Sequence, residues 1–342
     1  MRWRSGNPVE GRWPPPDFRD TPGTPVIRRA MTDRGRALLV LHGKAAMRDD
    51  VRQAVHAGRE EGFRVDVHVT WEPGDAARFA EEATRAGYEV VLAGGGDGTV
   101  NEVVAGMLRG AADASTSPSL GVLPLGTAND LARACGIPLD LVAAMRLALS
   151  RPGTIIDVGQ ANGRPFVNVA TGGFGTQVTV ATPPELKRVM GGAAYFLTGL
   201  THFNSIKPEH GRFSGPGFAW EGAFLVLAVG NGRQAGGGRK LCPDAMLDDG
   251  LLDARLLPHL PKEDIPEVLR VLLRDGLEGI QSNVVGAKLP WLEIETEERL
   301  QINLDGEPLE ATRFRFETLP RRLPLRTPQG CPLVSGSPRG EG

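Results

Sequence analysis

The chain has 342 residues, a length that allows two domains with their own hydrophobic cores. Its 39 basic and 41 acidic side chains nearly cancel, which excludes recruitment of nucleic acid by a general electrostatic field. It contains no run of about 18 apolar residues and no apolar signal-peptide core, so we expect a cytoplasmic protein without a membrane span. Its three cysteines lie far apart without a CxxC pair and indicate neither a zinc site nor a disulfide framework.

The first half of the chain is predicted to be a disordered extension followed by an α/β domain. Residues 1–34 are rich in Pro, Gly and Arg and are expected to be disordered. Predicted strands then cover 37–41, 63–70, 90–93 and 120–125, and predicted helices cover 50–60, 75–86, a stretch from 99, a stretch at 131–132, and 140–149. This alternation predicts a doubly wound parallel sheet covered by helices on both faces, over residues 35–150.

A glycine loop with one acidic residue follows the third predicted strand. The letters GGGDG occupy 94–98, and a helical pattern begins at Thr99. Glycines let backbone N–H groups approach phosphate oxygens closely, and the helix dipole adds to the attraction, so this arrangement favours an anion site. Asp97 would repel an anion unless it holds a cation or takes a proton, which suggests chemistry. A tight turn with a helix cap is the alternative interpretation.

A second loop of the same design comes one strand later. The predicted strand 120–125 ends at Gly126, and Thr127, Asn129 and Asp130 precede the next helix. Consecutive strands of a parallel sheet direct their carboxyl ends toward one crevice, so we expect both loops to face one ligand. Asn129 and Asp130 could equally be ordinary helix caps.

The second half changes to short strands separated by Gly and Asn turns. Predicted strands cover 154–158, 165–170, 223–229, 251–257, 291–295, 300–304 and 313–317, with a helix at 265–273. They predict an antiparallel β-sandwich domain over residues 151–320. An apolar segment with helical spacing at 185–207 is interpreted as an interdomain core helix, as a flap over the lipid site, or as a surface that dips into a bilayer.

Two further motifs concentrate carboxylates in this half. LCPDAMLDDGLLD, at 241–253, carries four Asp side chains around Gly250, which fits either a hard-cation site or a turn between strands. Its spacing does not match an EF-hand. In LDGE, at 304–307, a tight turn at Asp305 and Gly306 would direct Glu307 off the sheet edge.

The ordered set of motifs resembles a known family. GGGDGTVNEV (94–103) with LPLGTAND (123–130) is similar to the catalytic domain of the diacylglycerol kinase family. The further blocks are VTWEPGDAARF (69–79), NVATGGFGT (168–176), GNGRQAGGG (230–238), LCPDAMLDDGLLD (241–253) and NLDGEPL (303–309). Together they resemble the bacterial YegS-type lipid kinases over residues 37–334. We therefore expect Met31 to be the translation start, or the residues before it to be dispensable.

The resemblance implies a set of site residues. Glu307 would be the catalytic base, and Asp97 a second carboxylate that orients Mg²⁺ on the ATP phosphates. The implied nucleotide contacts are Thr70, Gly95, Gly96, Asp97, Gly98, Thr99, Val100, Asn101, Glu102 and Thr127. A regulatory Mg²⁺ or Ca²⁺ would bind the backbone oxygens of Met246 and Leu251 and the Asp249 carboxylate. Lys44 is a weaker phosphate-binding candidate, and the last stretch, 321–342, would return to pack on the first domain.

The expected function is therefore an ATP-dependent lipid kinase that phosphorylates a hydroxyl of phosphatidylglycerol or diacylglycerol. Its expected partners are ATP and a membrane lipid, with transient contact at the inner membrane surface and with neither nucleic acid nor an obligate protein partner. The sequence lacks GxxxxGK[ST], HRD and DFG, which excludes P-loop NTPases and protein kinases. A kinase of a soluble substrate such as NAD, which shares the GGDGT loop, and a non-catalytic nucleotide-binding module are the alternatives.

Overall fold

A computed structural model describes residues 34–173, 208–261 and 263–335. The predicted disordered extension, apart from its last residue, and the segment 185–207 lie outside the described residues. The described part of the chain forms one compact unit. Within it, no helix is long and apolar enough to cross a bilayer.

The first half is a four-stranded parallel sheet in the order β4-β3-β1-β2. Its strands are β1 (Arg36–Leu41), β2 (Arg64–Val69), β3 (Val90–Gly95) and β4 (Ser119–Pro124). Its helices are α1 (Asp49–Glu60), α2 (Asp75–Arg85), α3 (Asp97–Gly110), α4 (Asp130–Cys135) and α5 (Leu141–Ser150). The strands read as apolar runs because both faces of the sheet are covered. Helices α2 and α3 bury one face and α1 and α5 the other, which confirms the predicted doubly wound architecture.

The second half is antiparallel and begins with β5. Its elements are β5 (Gly153–Ala161), β6 (Arg164–Phe166), β7 (Val169–Gly173), β8 (Glu209–Gly215), β9 (Phe218–Gly230), β10 (Gln234–Ala235), β11 (Arg239–Lys240), β12 (Leu252–Pro258), α6 (Ile265–Asp275), β13 (Val285–Leu289), β14 (Trp291–Leu304) and β15 (Glu307–Arg326). Strands β7 and β8 each pair with both β9 and β14, so these four strands enclose a core. The largest buried side chains of that core are five phenylalanines, Phe166, Phe213, Phe224, Phe314 and Phe316.

Several strand boundaries differ from the sequence prediction. The predicted strands 291–295 and 300–304 are one strand, β14, whose register shifts between Glu295 and Leu300. The predicted strand 165–170 is two strands, β6 and β7, because the backbone N–H groups of Val167 and Asn168 are turned toward the Asp305 carboxylate instead of a strand partner. Strands β8, β10, β11 and β13 were not predicted.

Strand β15 belongs to both halves of the molecule. Its first part forms a hairpin with β14, and its last part pairs with β5 and meets β4 in parallel at Leu325 and Leu120. The hydrogen-bonded sheet is therefore continuous across the chain. Beyond β15, Cys331 and Leu333 are buried in the same core as Cys135 of α4.

Candidate active site at the start of helix α3

The glycine loop leads directly into α3, which begins at Asp97 rather than at the predicted Thr99. The boundary prediction was wrong because no capping side chain marks it: the residue before the helix is Gly96, whose backbone is extended and provides no side-chain cap. The first N–H groups of α3 therefore have no partner from a capping side chain. They carry the positive end of the helix dipole and are suited to bind an anion.

The two glycine loops lie against each other. A Cβ atom on Gly126 would come within 2.4 Å of the Gly96 Cα, and one on Gly95 within 2.3 Å of the Thr99 hydroxyl. The Leu125 amide also donates to the Gly95 carbonyl at 2.9 Å. The two loops are therefore packed together where β3 and β4 end. Gly98 differs from the others, because a Cβ there would meet no protein atom within 4 Å.

Asp97 is fixed from both halves of the molecule. Its Oδ1 accepts a bond from the Leu131 amide at 3.2 Å and one from the Asn168 side chain at 3.4 Å. Its Oδ2 accepts no hydrogen bond from the described part of the chain. One carboxylate oxygen therefore stays available beside the helix start, which fits a role in holding a cation that accompanies a phosphate.

Asp305 forms the predicted turn and also holds a neighbouring segment of backbone, a role that the sequence did not reveal. Its carboxylate accepts bonds from the backbone N–H groups of Val167, Asn168 and Val169, at 2.6–3.2 Å. The pKa of Asp305 is raised to about 6, chiefly because the carboxyl group is buried. The three hydrogen bonds act in the opposite direction, and the negative charge of the nearby Asp97 adds to the rise. An Asp at this position is already explained by the tight turn. The sequence therefore provides no reason to predict that its side chain also binds the backbone of residues 167–169.

Asp130 forms a second link between the halves. Its carboxylate accepts bonds from the Gly237 and Gly238 amides, the latter at 2.6 Å. It is not an ordinary cap, and neither is Asn129, whose side chain bonds back to Gly126. Burial raises the pKa of Asp130, and Asp97 contributes in the same direction. The three carboxylates of Asp97, Asp130 and Asp305 thus form one cluster around the start of α3.

Glu307 approaches the same helix from the opposite half. Burial raises the pKa of Glu102, and the negative charge of Glu307 raises it further, while the Gly74 amide and His42 lower it. The turn before Glu307 is also linked to the glycine loop by hydrogen bonds, because Asp305 accepts from the Asn168 amide and the Asn168 side chain donates to Asp97.

The other predicted nucleotide contacts are distributed around the crevice. Thr70 accepts a bond from the Gly43 amide at 3.2 Å, which joins the loops after β1 and β2. Thr127 is exposed, and Lys44 is exposed in the loop after β1. Val100 and Asn101 are buried, at 2% and 6% exposure, so Val100 can offer only its backbone to a ligand.

The residues of the predicted regulatory metal site do not fit a divalent cation. The Asp249 Oδ1 accepts a bond from the Leu251 amide at 3.0 Å, and its Oδ2 is paired with Lys288 at 2.5 Å. The Met246 sulfur contacts Arg233, at 2.9 Å. Within the described ranges, no three His, Cys, Asp or Glu side chains are grouped to hold a metal ion. The one predicted side-chain ligand is already engaged by a cation of the protein.

Comparisons with known proteins agree with this architecture. The model of the diacylglycerol kinase catalytic domain matches residues 36–161, and that of the YegS C-terminal NAD kinase beta sandwich-like domain matches residues 168–327. A Pseudomonas aeruginosa protein named "Probable lipid kinase YegS-like" is 53% identical over 90% of this chain and 99% of its own length. A Pseudomonas putida protein of the same name is 50% identical over 88% and 98%. The chain therefore belongs to the YegS-like lipid kinase family, and it is a kinase.

Solved structures share the fold at lower identity. A diacylglycerol kinase from Bacillus anthracis strain Sterne aligns with a TM-score of 0.65 and 21% identity, over 87% of this chain and 98% of that one. A second structure from the same organism aligns with a TM-score of 0.71 and 23% identity, over 87% and 96%. Both have the α/β half and the antiparallel half in common with this protein.

Proposed function

We propose that the protein is an ATP-dependent lipid kinase that transfers the γ-phosphoryl group to a hydroxyl of a membrane lipid, phosphatidylglycerol or diacylglycerol. It would meet this substrate by transient contact with the inner membrane surface. The observation that carries the proposal is the hydrogen-bonded link between the turn before Glu307 and the start of α3: Asp305 accepts from the Asn168 amide, and the Asn168 side chain donates to Asp97. The names of the relatives support the lipid class of acceptor.

The glycine loop would bind the phosphates of ATP. The amides of Gly96, Gly98 and Thr99 are near the positive end of α3, where anions bind. Gly98 leaves space for a close approach, since no protein atom lies where its side chain would be. Thr70 and Thr127 stand on the neighbouring loops and would contact the rest of the nucleotide.

Asp97 would position the charge that accompanies ATP. Its free Oδ2 would hold Mg²⁺ directly or through water, and the ion, when bound with ATP, neutralises charge on the phosphate oxygens. Asn168 and the Leu131 amide fix the other oxygen, so the carboxylate needs no reorganisation when the substrate arrives. Asp130 and Asp305 hold the two halves around it without contacting the phosphates.

Glu307 would act on the lipid. A neutral hydroxyl is a weak nucleophile, and its oxygen attacks the γ-phosphorus in line with the leaving ADP oxygen. As the new O–P bond forms, the hydroxyl proton passes to the Glu307 carboxylate, and ADP leaves with the electrons of the broken bond. General-base help of this kind is worth roughly a hundredfold or more.

The direct test is an assay with labelled ATP and MgCl₂, run in parallel with mixed polar-lipid micelles and with NAD. We expect label in the organic phase, and the mobility of the product identifies the head group. Label that enters only NADP would overturn the lipid assignment, since NAD kinases share the GGDGT loop. ATP binding without transfer to either acceptor would leave the protein a nucleotide-binding module.

A further inference from the structure

The segment 244–253, here named the acidic loop, carries four carboxylates, three of them between β11 and β12 and the fourth, Asp253, on β12. Within the described residues, each of them is bound by donors of the protein. These are Arg255 for Asp244, the Ser335 amide and hydroxyl for Asp248, Lys288 and the Leu251 amide for Asp249, and Arg255 again for Asp253. The negative charge of the loop is therefore balanced by cations and hydrogen-bond donors of the chain itself.

Lys288 makes two contacts that bracket this loop. Its Nζ donates to the Asp249 Oδ2 at 2.5 Å and to the Asp244 backbone carbonyl at 2.9 Å. A carboxylate oxygen and a backbone carbonyl are the two kinds of ligand that a hard cation takes from a protein loop. The side chains of Lys288 and Asp249 are only 31% and 21% exposed, so solvent screens the pair incompletely.

The register of the sheet explains how Lys288 reaches the loop. Lys288 on β13 is directly opposite Asp253 on β12, and Gly286 is opposite Arg255. Residues opposite each other in an antiparallel pair share a face, so Arg255 and Lys288 point to the same side. Gly286 leaves room for Arg255, since a Cβ there would come within 2.9 Å of its side chain. One face of this ladder thus directs two cations at the acidic loop.

A divalent metal ion at Asp249 is inconsistent with this arrangement. Ca²⁺ and Mg²⁺ take six or more oxygen ligands, and the implied set offers two backbone oxygens, of Met246 and Leu251, and one charged group, the Asp249 carboxylate. The ion would therefore depend on that carboxylate to balance its charge. An ion on the Asp249 Oδ2 would either displace the Lys288 ammonium or lie beside a like charge.

We propose that the Lys288 ammonium is the resident cation of the acidic loop and that it takes the place of the regulatory metal ion implied by the family resemblance. The loop would then hold its conformation without Mg²⁺ or Ca²⁺. A metal requirement of the enzyme would be confined to the ATP complex.

The test uses the full chain without nucleotide, in EDTA or in millimolar CaCl₂ or MgCl₂ at matched ionic strength. The variants are Lys288→Met, which keeps the length and removes the charge, and Lys240→Met as its matched control. Lys240 makes an ion pair with Glu278 at 3.0 Å, away from the acidic loop. Asp249→Asn tests whether any metal response depends on the predicted ligand.

We expect the wild-type midpoint of thermal unfolding, Tm, to be the same with and without Ca²⁺ or Mg²⁺. In EDTA, Lys288→Met should lower the Tm by about 2 °C more than Lys240→Met, and CaCl₂ should recover part of that loss because the carboxylate is vacated. A wild-type Tm that rises with Ca²⁺ and stops rising in Asp249→Asn would overturn the proposal. So would a Lys288→Met protein as stable in EDTA as Lys240→Met. If Lys288→Met does not fold, the wild-type and Asp249→Asn titrations still decide the question.

Discussion

Glu307 owes its position to the two residues before it. Asp305 and Gly306 have positive φ values of 50° and 109°, as a two-residue hairpin turn requires, and Leu304 pairs directly with Glu307. The Asp305 carboxylate ties the same turn to β7 through three backbone N–H groups. The turn is thus fixed by its own geometry and by a neighbouring strand, which is what a catalytic carboxylate needs in order to keep its orientation.

Glu307→Gln should leave ATP binding nearly unchanged and lower lipid phosphorylation by about a hundredfold or more, because an amide cannot accept the hydroxyl proton. ATP affinity by calorimetry and initial rates of transfer check the two parts separately. Glu310→Gln is the matched control, because Glu310 is on the same strand and pairs with the exposed Arg299. Transfer by Glu307→Gln within tenfold of wild type would make Asp97 the better candidate for the base.

Asp305 should make stability depend on pH. Its pKa is about 6 in the folded state and about 3.9 in an unfolded chain, so between these values the folded state binds more protons. The free energy of unfolding contributed by this group is fully present below pH 4 and is lost as the pH rises through 6. We therefore expect the difference in the free energy of unfolding between wild type and Asp305→Asn to change by on the order of 2 kcal/mol across this window.

Urea unfolding at several pH values from 4 to 7 measures that difference. The control is Asp113→Asn: the Ser115 hydroxyl and neighbouring amides lower the pKa of Asp113, so it is ionised throughout the window and its difference should stay flat. A flat difference for Asp305→Asn as well would show that its carboxylate is not buried as the structure has it.

Two glycines of helix α3 have different surroundings. A Cβ on Gly106 would come within 2.0 Å of the Ala77 carbonyl of α2, whereas a Cβ on Gly98 would meet no neighbouring atom of the described residues within 4 Å. We expect Gly98→Ala to keep or raise the stability, by up to about 1 kcal/mol, because Ala favours a helix over Gly. The same methyl should weaken ATP binding by about tenfold or more, since it occupies the approach of the phosphates.

Thermal unfolding and ATP titration by calorimetry test both effects together. Gly106→Ala is the comparison variant and should destabilise the protein with or without nucleotide, because the α2–α3 contact cannot take the added atom. If Gly98→Ala bound ATP like wild type, the phosphates would not approach this turn of α3.

The elements of the α/β half could be predicted closely because each buried strand is an apolar run between helices of clear periodicity. The start of α3 could not, since glycine supplies neither a capping side chain nor a hydrophobic pattern. Strand β14 was divided in the prediction because its register shifts between Glu295 and Leu300, a feature that only its pairing with β15 reveals. The motifs predict Asp97 and Glu307 as site residues, but they do not reveal the contact of Asp305 with residues more than 130 positions earlier in the chain.

At the scale of the whole molecule, a strand and several hydrogen bonds connect the two halves, and no local sequence pattern predicts these connections. Strand β15 is 20 residues long and contributes to the antiparallel core at one end and to the parallel sheet at the other. Asp130 and Asn168 add hydrogen bonds between the halves beside Asp97. The candidate active site therefore lies at a junction that is continuous in hydrogen bonding, so its geometry depends on both halves being folded.

This continuity predicts that the halves unfold in one transition. Leu325 is fully buried and pairs with both Leu120 and Thr154. Leu325→Ala should cost about 2–5 kcal/mol, as large-to-small core substitutions do, and the loss should appear in both halves at once. The measurement is urea unfolding monitored by backbone amide hydrogen exchange, read separately for peptides from β3 in the α/β half and from β14 in the antiparallel half. The control, Glu310→Ala on the exposed part of the same strand, should move neither midpoint, whereas a shift in the β3 midpoint alone would show that the halves are thermodynamically separate.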